Sequence, residues 1–303
     1  MAMLASPDAA RKLNEAIELI EAAADAGVAA ALERRAVFEC SGVGRPADWG
    51  KALDSLQQAA ELGSACAARQ LILLADDQFE ATAPPPSDGG WNLVRTRIPI
   101  ERRLRAATGT GRLLSTNPFI RAIPAMVSAA ECRWLIAAYA GRLERATLHN
   151  EGIGAGRTNE FVVLGLERSD LVSEMLRARI ANEIGAPLPC LEVSQLLRYR
   201  VGEQYLTHCD FLDPRREAEE IARYGQRAAT VLIYLNEDFE GGETSFPQLQ
   251  IAHRGRTGDA LVFGNLNPAG LPDPRTQHAG LPPTFGEKWL FSQWVRDRYP
   301  ADG

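Results

Sequence analysis

The apolar pattern of this chain changes period along its length, and that change restricts what the chain can fold into. Through about residue 78, Ala and Leu recur at helical spacing with Glu, Lys and Arg between them, the pattern of amphipathic helices. Beyond Pro189 the apolar residues come in short runs, Val193–Tyr199, Ala229–Leu235, Ala260–Phe263 and Lys288–Val295, separated by Gly, Pro, Asn and Asp. Runs of that length between turn residues read as strands, and strands without a helical pattern between them predict a sandwich or barrel. Two helices are expected ahead of it. Ser128 with Glu131 forms a capping-box signature that opens a helix over Cys132–Arg142, and Asp170–Ile184 reads as a second, stopped by Gly185 and Pro187. The fold class is therefore α+β.

The helical part repeats itself. Residues 16–38 laid over 52–74 agree at a constant offset of 36, with Ala16/Ala52, Ala23/Ala59, Ala24/Ala60, Gly27/Gly63, Ala29/Ala65 and Ala31/Ala67 coinciding. Small residues at fixed positions allow close helix packing, and the glycine ends the first helix of each pair. The stretch DDQFEATAPPPSDGG that follows is rich in Pro, Ser and Gly without period, a linker composition. The division read from sequence is a helical domain over 1–78, a linker over 79–90 and a second domain over 91–303.

Composition narrows the function classes. With 46% hydrophobic residues the chain can bury a sizeable core, and a formal charge of −6 gives it no overall attraction to nucleic acid or anionic membrane. Its longest strongly apolar run, Ala228–Leu235, is far shorter than the roughly 18 residues of a membrane span. The first residues show no secretory signal. Five scattered cysteines include no CxxC pair, which points to free thiols in a reducing cytoplasm.

Four histidines make their placement informative. His208-Cys209-Asp210 puts an imidazole and a carboxylate at i and i+2, which on a strand share one face. His278 follows a loop rich in Pro and Gly. Two imidazoles and one carboxylate are the ligand set of non-heme Fe(II) oxygenases, which leaves coordination positions open; zinc hydrolases use similar ligands. Lys288 stands ten residues after His278 and heads the segment Trp289-Leu290-Phe291. A cation there suits the distal carboxylate of a bidentate 2-oxo acid, and Tyr199 could reach the same carboxylate. His149 and His253 lie in polar loops and read as surface residues.

These segments resemble the prolyl 4-hydroxylase branch of the 2-oxoglutarate- and Fe(II)-dependent dioxygenases. The likeness rests on LLRYRVGEQYLTHCDF, QRAATVLIYLNEDFEGGETSFP, GDALVFGN and TQHAGLPPTFGEKWLFSQWVRDR, and extends more weakly through PFIRAIPAMVSAAEC and GRTNEFVVL. The resemblance implies a double-stranded β-helix, or jelly roll, with iron at its mouth and helices flanking it. It implies Fe(II) on His208, Asp210 and His278, and 2-oxoglutarate held by Lys288, Tyr199 and Thr244. O2 is the co-substrate, and ascorbate a further cofactor. Tyr205, Arg227 and Trp294 fall at positions that face a peptide or protein substrate, and Arg157-Thr158-Asn159 at a substrate loop. The expected reaction is 4-hydroxylation of a prolyl residue, as in procollagen-proline dioxygenases.

The N-terminal segment GVGRPADWGKALDSLQQAAELGSACAARQL resembles the Sel-one-like relatives of tetratricopeptide repeats, which implies a protein-binding surface. At Arg296 the chain departs from family members that carry a substrate-touching His. The insertion Asp213–Tyr224 is also unusual and reads as a solvated helix. The alternatives are hydroxylation of another residue or of a free amino acid, a zinc hydrolase, and a repeat-containing binding module with an inactive oxygenase domain.

Overall fold

The computed structural model describes residues 7–76, 90–105, 111–145 and 156–299. They belong to two compact units, Met1–Arg105 with Gly165–Arg179, and Ala106–Leu164 with Ile180–Gly303. Of the expected linker only Gly90 is among the described residues.

The first unit is helical. Helices α1 (Pro7–Asp25) and α2 (Ala29–Ser41) form one pair, α3 (Trp49–Glu61) and α4 (Ala65–Ala75) the next. The repeat read from sequence coincides with them: Gly27 and Gly63 follow the first helix of each pair at φ 79° and 90°, a backbone state glycine adopts freely. Ala36, Ala52, Ala59 and Ala67 are wholly buried, so the small side chains set the helix spacing. Helices α5 (Gly90–Thr96) and α6 (Ile100–Arg103) follow. Arg103 closes the C-terminus of α4 by donating to the carbonyls of Leu73 and Leu74 at 3.1 and 3.0 Å. The stretch 165–179 joins this unit through long-range polar contacts. Arg34 donates to Ser169 O at 2.8 Å, and Gln70 Oε1 accepts the Leu171 N–H at 2.9 Å. Local spacing carries no sign of these pairings.

The second unit holds the sheets. Strands β1 (Arg112–Thr116) and β2 (Phe119–Ile123) precede helix α7 (Ala129–Tyr139), then come β3 (Glu144–Arg145) and β4 (Glu160–Leu164). Helix α8 (Leu171–Ile184) has residues in both units. After it run β5 (Ser194–Tyr199), β6 (Tyr205–His208), helix α9 (Ala218–Tyr224), β7 (Arg227–Tyr234), β8 (Phe239–Gly241) and β9 (Thr244–Phe246). The chain continues through β10 (Ile251–His253), β11 (Ala260–Gly264), β12 (His278–Gly280), β13 (Pro283–Gly286) and β14 (Lys288–Arg296). One sheet has the order β1-β2-β11-β7-β14-β5-β4-β3, a second β10-β9-β12-β6, and β13 pairs with β8.

The two larger sheets bury a shared apolar core of Ile120, Leu197, Leu232, Phe246, Leu261, Phe263 and Leu290. Phe246 of the smaller sheet meets Phe263 of the larger edge-on, with centroids 5.1 Å apart. This is the jelly roll expected from sequence, and the four long strand runs appear within two residues of their expected ends. The capping box is also present, with Ser128 Oγ accepting the Glu131 N–H at 3.2 Å and Glu131 Oε2 accepting the Ser128 N–H at 2.9 Å. Strands β1, β2 and β4 are additions that spacing does not reveal. Each spans five residues; β1 pairs with its chain neighbour β2, while β2 and β4 are completed by distant partners, Leu261 opposite Ala122 and Leu197 opposite Phe161. The insertion forms α9, whose residues are mostly exposed, as expected.

Gly258 joins the ends of these sheets. Its φ is +87°, its N–H donates to Tyr234 O at 2.8 Å, and a Cβ there would lie 2.0 Å from Val127 O. Gly270 shares the positive φ, 74°, but has open space around it. Gly258→Ala should therefore cost well over the roughly 1–3 kcal/mol of backbone strain alone, and Gly270→Ala no more than that strain. Denaturant midpoints of the two variants measure the difference; equal midpoints would exclude a steric role for Gly258.

Candidate active site

Antiparallel register assembles the site. Pairing of β12 with β6 sets His278 directly opposite His208 and Gly280 opposite Tyr205. Strand β6 ends at His208, so Asp210 lies past the strand and not on it. The sequence expectation of a shared strand face is thus corrected. The carboxylate instead reaches the imidazoles because the chain turns in, where the Thr230 hydroxyl of β7 donates to Asp210 Oδ2 at 2.7 Å. Asp210 Oδ1 is 3.5 Å from His208 Nε2, and Oδ2 is 3.6 Å from His278 Nε2. One ligand atom from each of the three residues lies within 4.8 Å of the others.

Both rings are oriented for ligation. His208 Nδ1 lies 2.7 Å from Leu206 O and His278 Nδ1 lies 3.1 Å from Thr276 O. A carbonyl can only accept, so each Nδ1 carries the proton and each Nε2 keeps its lone pair for a metal. Tyr205 stacks on His208 with centroids 3.5 Å apart, while Phe246 and Phe263 flank His278 at 5.6 and 4.7 Å. Burial pushes the His278 imidazole down to about 4, which leaves it neutral near pH 7. Burial by itself would raise the Asp210 carboxyl. His278, His208 and the Thr230 hydroxyl outweigh it and hold the group below the usual carboxylate range. Two imidazoles and an ionised carboxylate form a donor set that fits a divalent first-row metal.

A cleft of about 440 Å³ opens beside these ligands and is lined by Lys288, Tyr199, Thr244, Leu197, Leu232 and Leu290, among others. Lys288 is fully buried. Its ammonium donates to Gly242 O at 2.7 Å and lies 4.9 Å from the centre of the Tyr199 ring. Among the described residues no carboxylate comes within ion-pair distance of it. Burial pushes this ammonium down to about 7, against a raising influence from Glu243. A wholly buried cation without a counter-ion is costly, and an anionic ligand in the cleft would remove the cost. Burial pushes the Tyr199 phenol up to about 12, so it remains an O–H donor. Thr244 Oγ1 pairs with Tyr234 OH at 2.9 Å. These groups fit the distal carboxylate of 2-oxoglutarate.

Toward the mouth stand Tyr205, Trp294 and Arg157. Arg157 Nε donates to Asn159 Oδ1 at 2.7 Å, and its guanidinium lies 5.2 Å from the Tyr205 ring. Arg227 is placed differently. It lies outside the cleft lining, paired with Glu192 at 2.8 and 3.1 Å and stacked 3.6 Å over the Trp294 ring. Arg296 pairs with the same Glu192 at 2.5 Å and with Glu220 of α9 at 2.6 Å. His253 is half-buried with its Nε2 unpartnered, so the surface reading is corrected; its ring meets the edge of Tyr234. His149 lies outside the described residues. Sequence reasoning missed Thr230, Asn265, Gln195 and Ser292, since an isolated hydroxyl or amide on a strand gives no signal until its distant partner is known.

Residues 194–296 match the family model described as the 2OG-Fe(II) oxygenase superfamily. Prolyl 4-hydroxylase 1 of Arabidopsis thaliana is 31% identical over 214 residues, covering 64% of this chain and 75% of that protein. Prolyl 4-hydroxylase 2 of the same plant is 29% identical over 208 residues, covering 60% and 68%. Among solved structures, the viral collagen prolyl hydroxylase of Paramecium Bursaria Chlorella virus-1 is 27% identical, with 58% and 95% covered and a TM-score of 0.47. The metal ligands His208, Asp210 and His278 and the buried Lys288 all fall within the matched stretch, and this chain belongs to the 2OG-Fe(II) oxygenase superfamily, related to the prolyl 4-hydroxylases.

Proposed function

We propose that this protein is a 2-oxoglutarate- and O2-dependent hydroxylase of prolyl residues in a peptide or protein. The observation that carries the reading is the fully buried Lys288, without a counter-ion among the described residues, in one cleft with His208, Asp210 and His278. The names of the aligned relatives support the prolyl substrate. Fe(II) held by the three ligands supplies the oxidative decarboxylation of 2-oxoglutarate and the hydroxylation of a C–H bond. The protein supplies position and charge. Leu206 O and Thr276 O fix the two imidazoles, Lys288 with the Tyr199 hydroxyl and Thr244 takes the distal carboxylate, and Leu197, Leu232 and Leu290 exclude water. Tyr205 and Trp294 bound the substrate end of the cleft. Arg227 would act on substrate through Trp294, since its Nε and Nη2 donate to Glu192 and its Nη1 to Asp210 O at 3.5 Å.

The helical repeats are proposed to recruit a protein substrate and to do no chemistry. Val28 and Leu62 are exposed apolar residues at the turns of the two helix pairs, and the missing Cβ of Gly27 would lie 3.9 Å from Leu62. Ascorbate as a reductant and a cytoplasmic location complete the reading; the free thiols support the latter.

His208→Ala, Asp210→Ala and His278→Ala should each abolish turnover and weaken Fe(II) binding in anaerobic titration, because three protein ligands leave no redundancy. Near-normal turnover by any of them would reject the ligand assignment. Lys288→Met, chosen for its similar volume, should raise the 2-oxoglutarate requirement about 30-fold or more while Fe(II) affinity holds. The pH dependence has a definite sign. Co-substrate binding needs the ammonium, which burial pushes down to about 7, so affinity is level below that pH. It then weakens by up to about tenfold per pH unit toward pH 9. Calorimetry in buffers of different ionisation enthalpy should show proton uptake on binding, and a pH-independent affinity from 6 to 9 would exclude Lys288 as the partner. For the repeats, Val28→Glu with Leu62→Glu should raise KM for a protein substrate and leave a short peptide unaffected. An equal effect on both substrates would remove the recruiting role.

A further inference from the structure

Behind the metal ligands lies a hydrogen-bond chain that runs away from the cleft. Thr230 Oγ1 donates to Asp210 Oδ2 at 2.7 Å, and Asn265 Nδ2 donates to Thr230 Oγ1 at 3.0 Å. Thr230 and Asn265 are both completely buried. The direction of the chain follows from proton counting. A carboxylate only accepts, so the single hydroxyl proton of Thr230 goes to Asp210, and the hydroxyl oxygen must be met by the amide NH2 of Asn265. Neighbouring strands fix both residues. Thr230 faces Phe263 across the β7–β11 pairing, and Asn265 stands one residue past the end of β11, its N–H donating to Ala228 O at 2.8 Å.

The two Asp210 oxygens are thereby made unequal. Each oxygen faces one imidazole, Oδ1 at 3.5 Å from His208 Nε2 and Oδ2 at 3.6 Å from His278 Nε2, but among the described residues Oδ2 alone also accepts a short hydroxyl hydrogen bond. We infer that Thr230 and Asn265 are positioning residues that keep Asp210 a one-oxygen ligand, by occupying Oδ2 with a hydroxyl proton and leaving Oδ1 the freer oxygen for a metal. The inference rests on the metal-site reading above. Its functional weight comes from coordination arithmetic. In a six-coordinate site two imidazoles and one carboxylate oxygen leave three positions, which two oxygens of a chelating 2-oxo acid and O2 would fill. A carboxylate that bound through both oxygens would take one of those positions. A hydroxyl donor on Oδ2 competes with metal for that oxygen and also orients the ligand, the usual work of groups one step behind a metal.

The experiment uses full-length protein and Co(II), which reports coordination by its visible absorption without turnover. Thr230→Val keeps the shape and burial of the side chain but removes the hydroxyl, and Thr230→Ser keeps the hydroxyl but leaves a small gap. The expected pattern is crossed. Thr230→Val should lose roughly 10- to 100-fold in Co(II) affinity and show an altered visible spectrum with its Tm nearly kept. Thr230→Ser should bind Co(II) as wild type does, even with a lower Tm. Asn265→Leu should move affinity and spectrum in the same sense as Thr230→Val, by less. Wild-type affinity and spectrum in Thr230→Val would overturn the inference while leaving the metal site intact. A loss in Thr230→Ser as large as in Thr230→Val would also overturn it, because packing and not the hydroxyl would then be responsible. If the wild-type protein takes up no Co(II), the metal-site reading fails and the inference falls with it. Should Thr230→Val not fold, Asn265→Leu with Thr230→Ser decides: unchanged affinity and spectrum in Asn265→Leu overturns the relay.

Discussion

Two opposite charges buried in one cleft govern the catalytic unit. The Asp210 carboxylate and the Lys288 ammonium are both removed from water, and among the described residues neither has a conventional ion-pair partner of its own. Burying an ion costs several kcal/mol unless fixed dipoles or counter-charges replace its hydration. For Asp210 the replacement is a hydroxyl and two imidazoles; for Lys288 it is one backbone carbonyl and two aromatic faces. Both sets are incomplete, and what completes them is a divalent cation at one and a carboxylate at the other. The affinity of the site is thus stored as unsatisfied electrostatics in a preformed cavity.

A single strand ties these needs together. Along β14 the alternate residues Lys288, Leu290, Ser292 and Trp294 line the cleft, so one pleat period carries the lining from the buried ammonium to the Trp294 ring. The residues between them, Trp289, Phe291 and Gln293, are buried. With both faces covered, a slip of one residue would take the ammonium out of the cleft, so register and function are specified by the same packing. The pairing of Lys288 with Tyr199 and of His278 with His208 then sets the two ends of the site.

Beyond Trp294 the same strand reaches the insertion. Glu192 bridges Arg227 and Arg296, and Arg296 continues to Glu220 and to Gly225 O at 2.7 Å. Arg298 donates to the carbonyl of Ile221 at 2.6 Å, near the C-terminus of α9, where a cation also opposes the helix dipole. The exposed helix is therefore anchored by Arg296 of β14 and by Arg298 just beyond it.

Much of this was legible in the sequence for a physical reason: it depends on local period and on residue types with narrow chemistry. Alternating apolar runs identify β5, β7, β11 and β14, the Ser128–Glu131 spacing identifies the start of α7, and the 36-residue offset identifies the helix pairs. The set His208, Asp210, His278 and Lys288 stood out because imidazoles are scarce in this chain and an ammonium in an apolar run is costly. What only the tertiary structure decided depends on partners far apart in sequence. Strands β2 and β4 exist because distant strands complete their hydrogen bonds, and 165–179 joins the helical unit because Gln70 and Arg34 bond to it. Asp210 leaves the strand that was expected to carry it because Thr230 draws its carboxylate inward. A hydroxyl is anonymous in a sequence; it gains a role only when folding sets an acceptor in front of its one proton and a donor behind its oxygen.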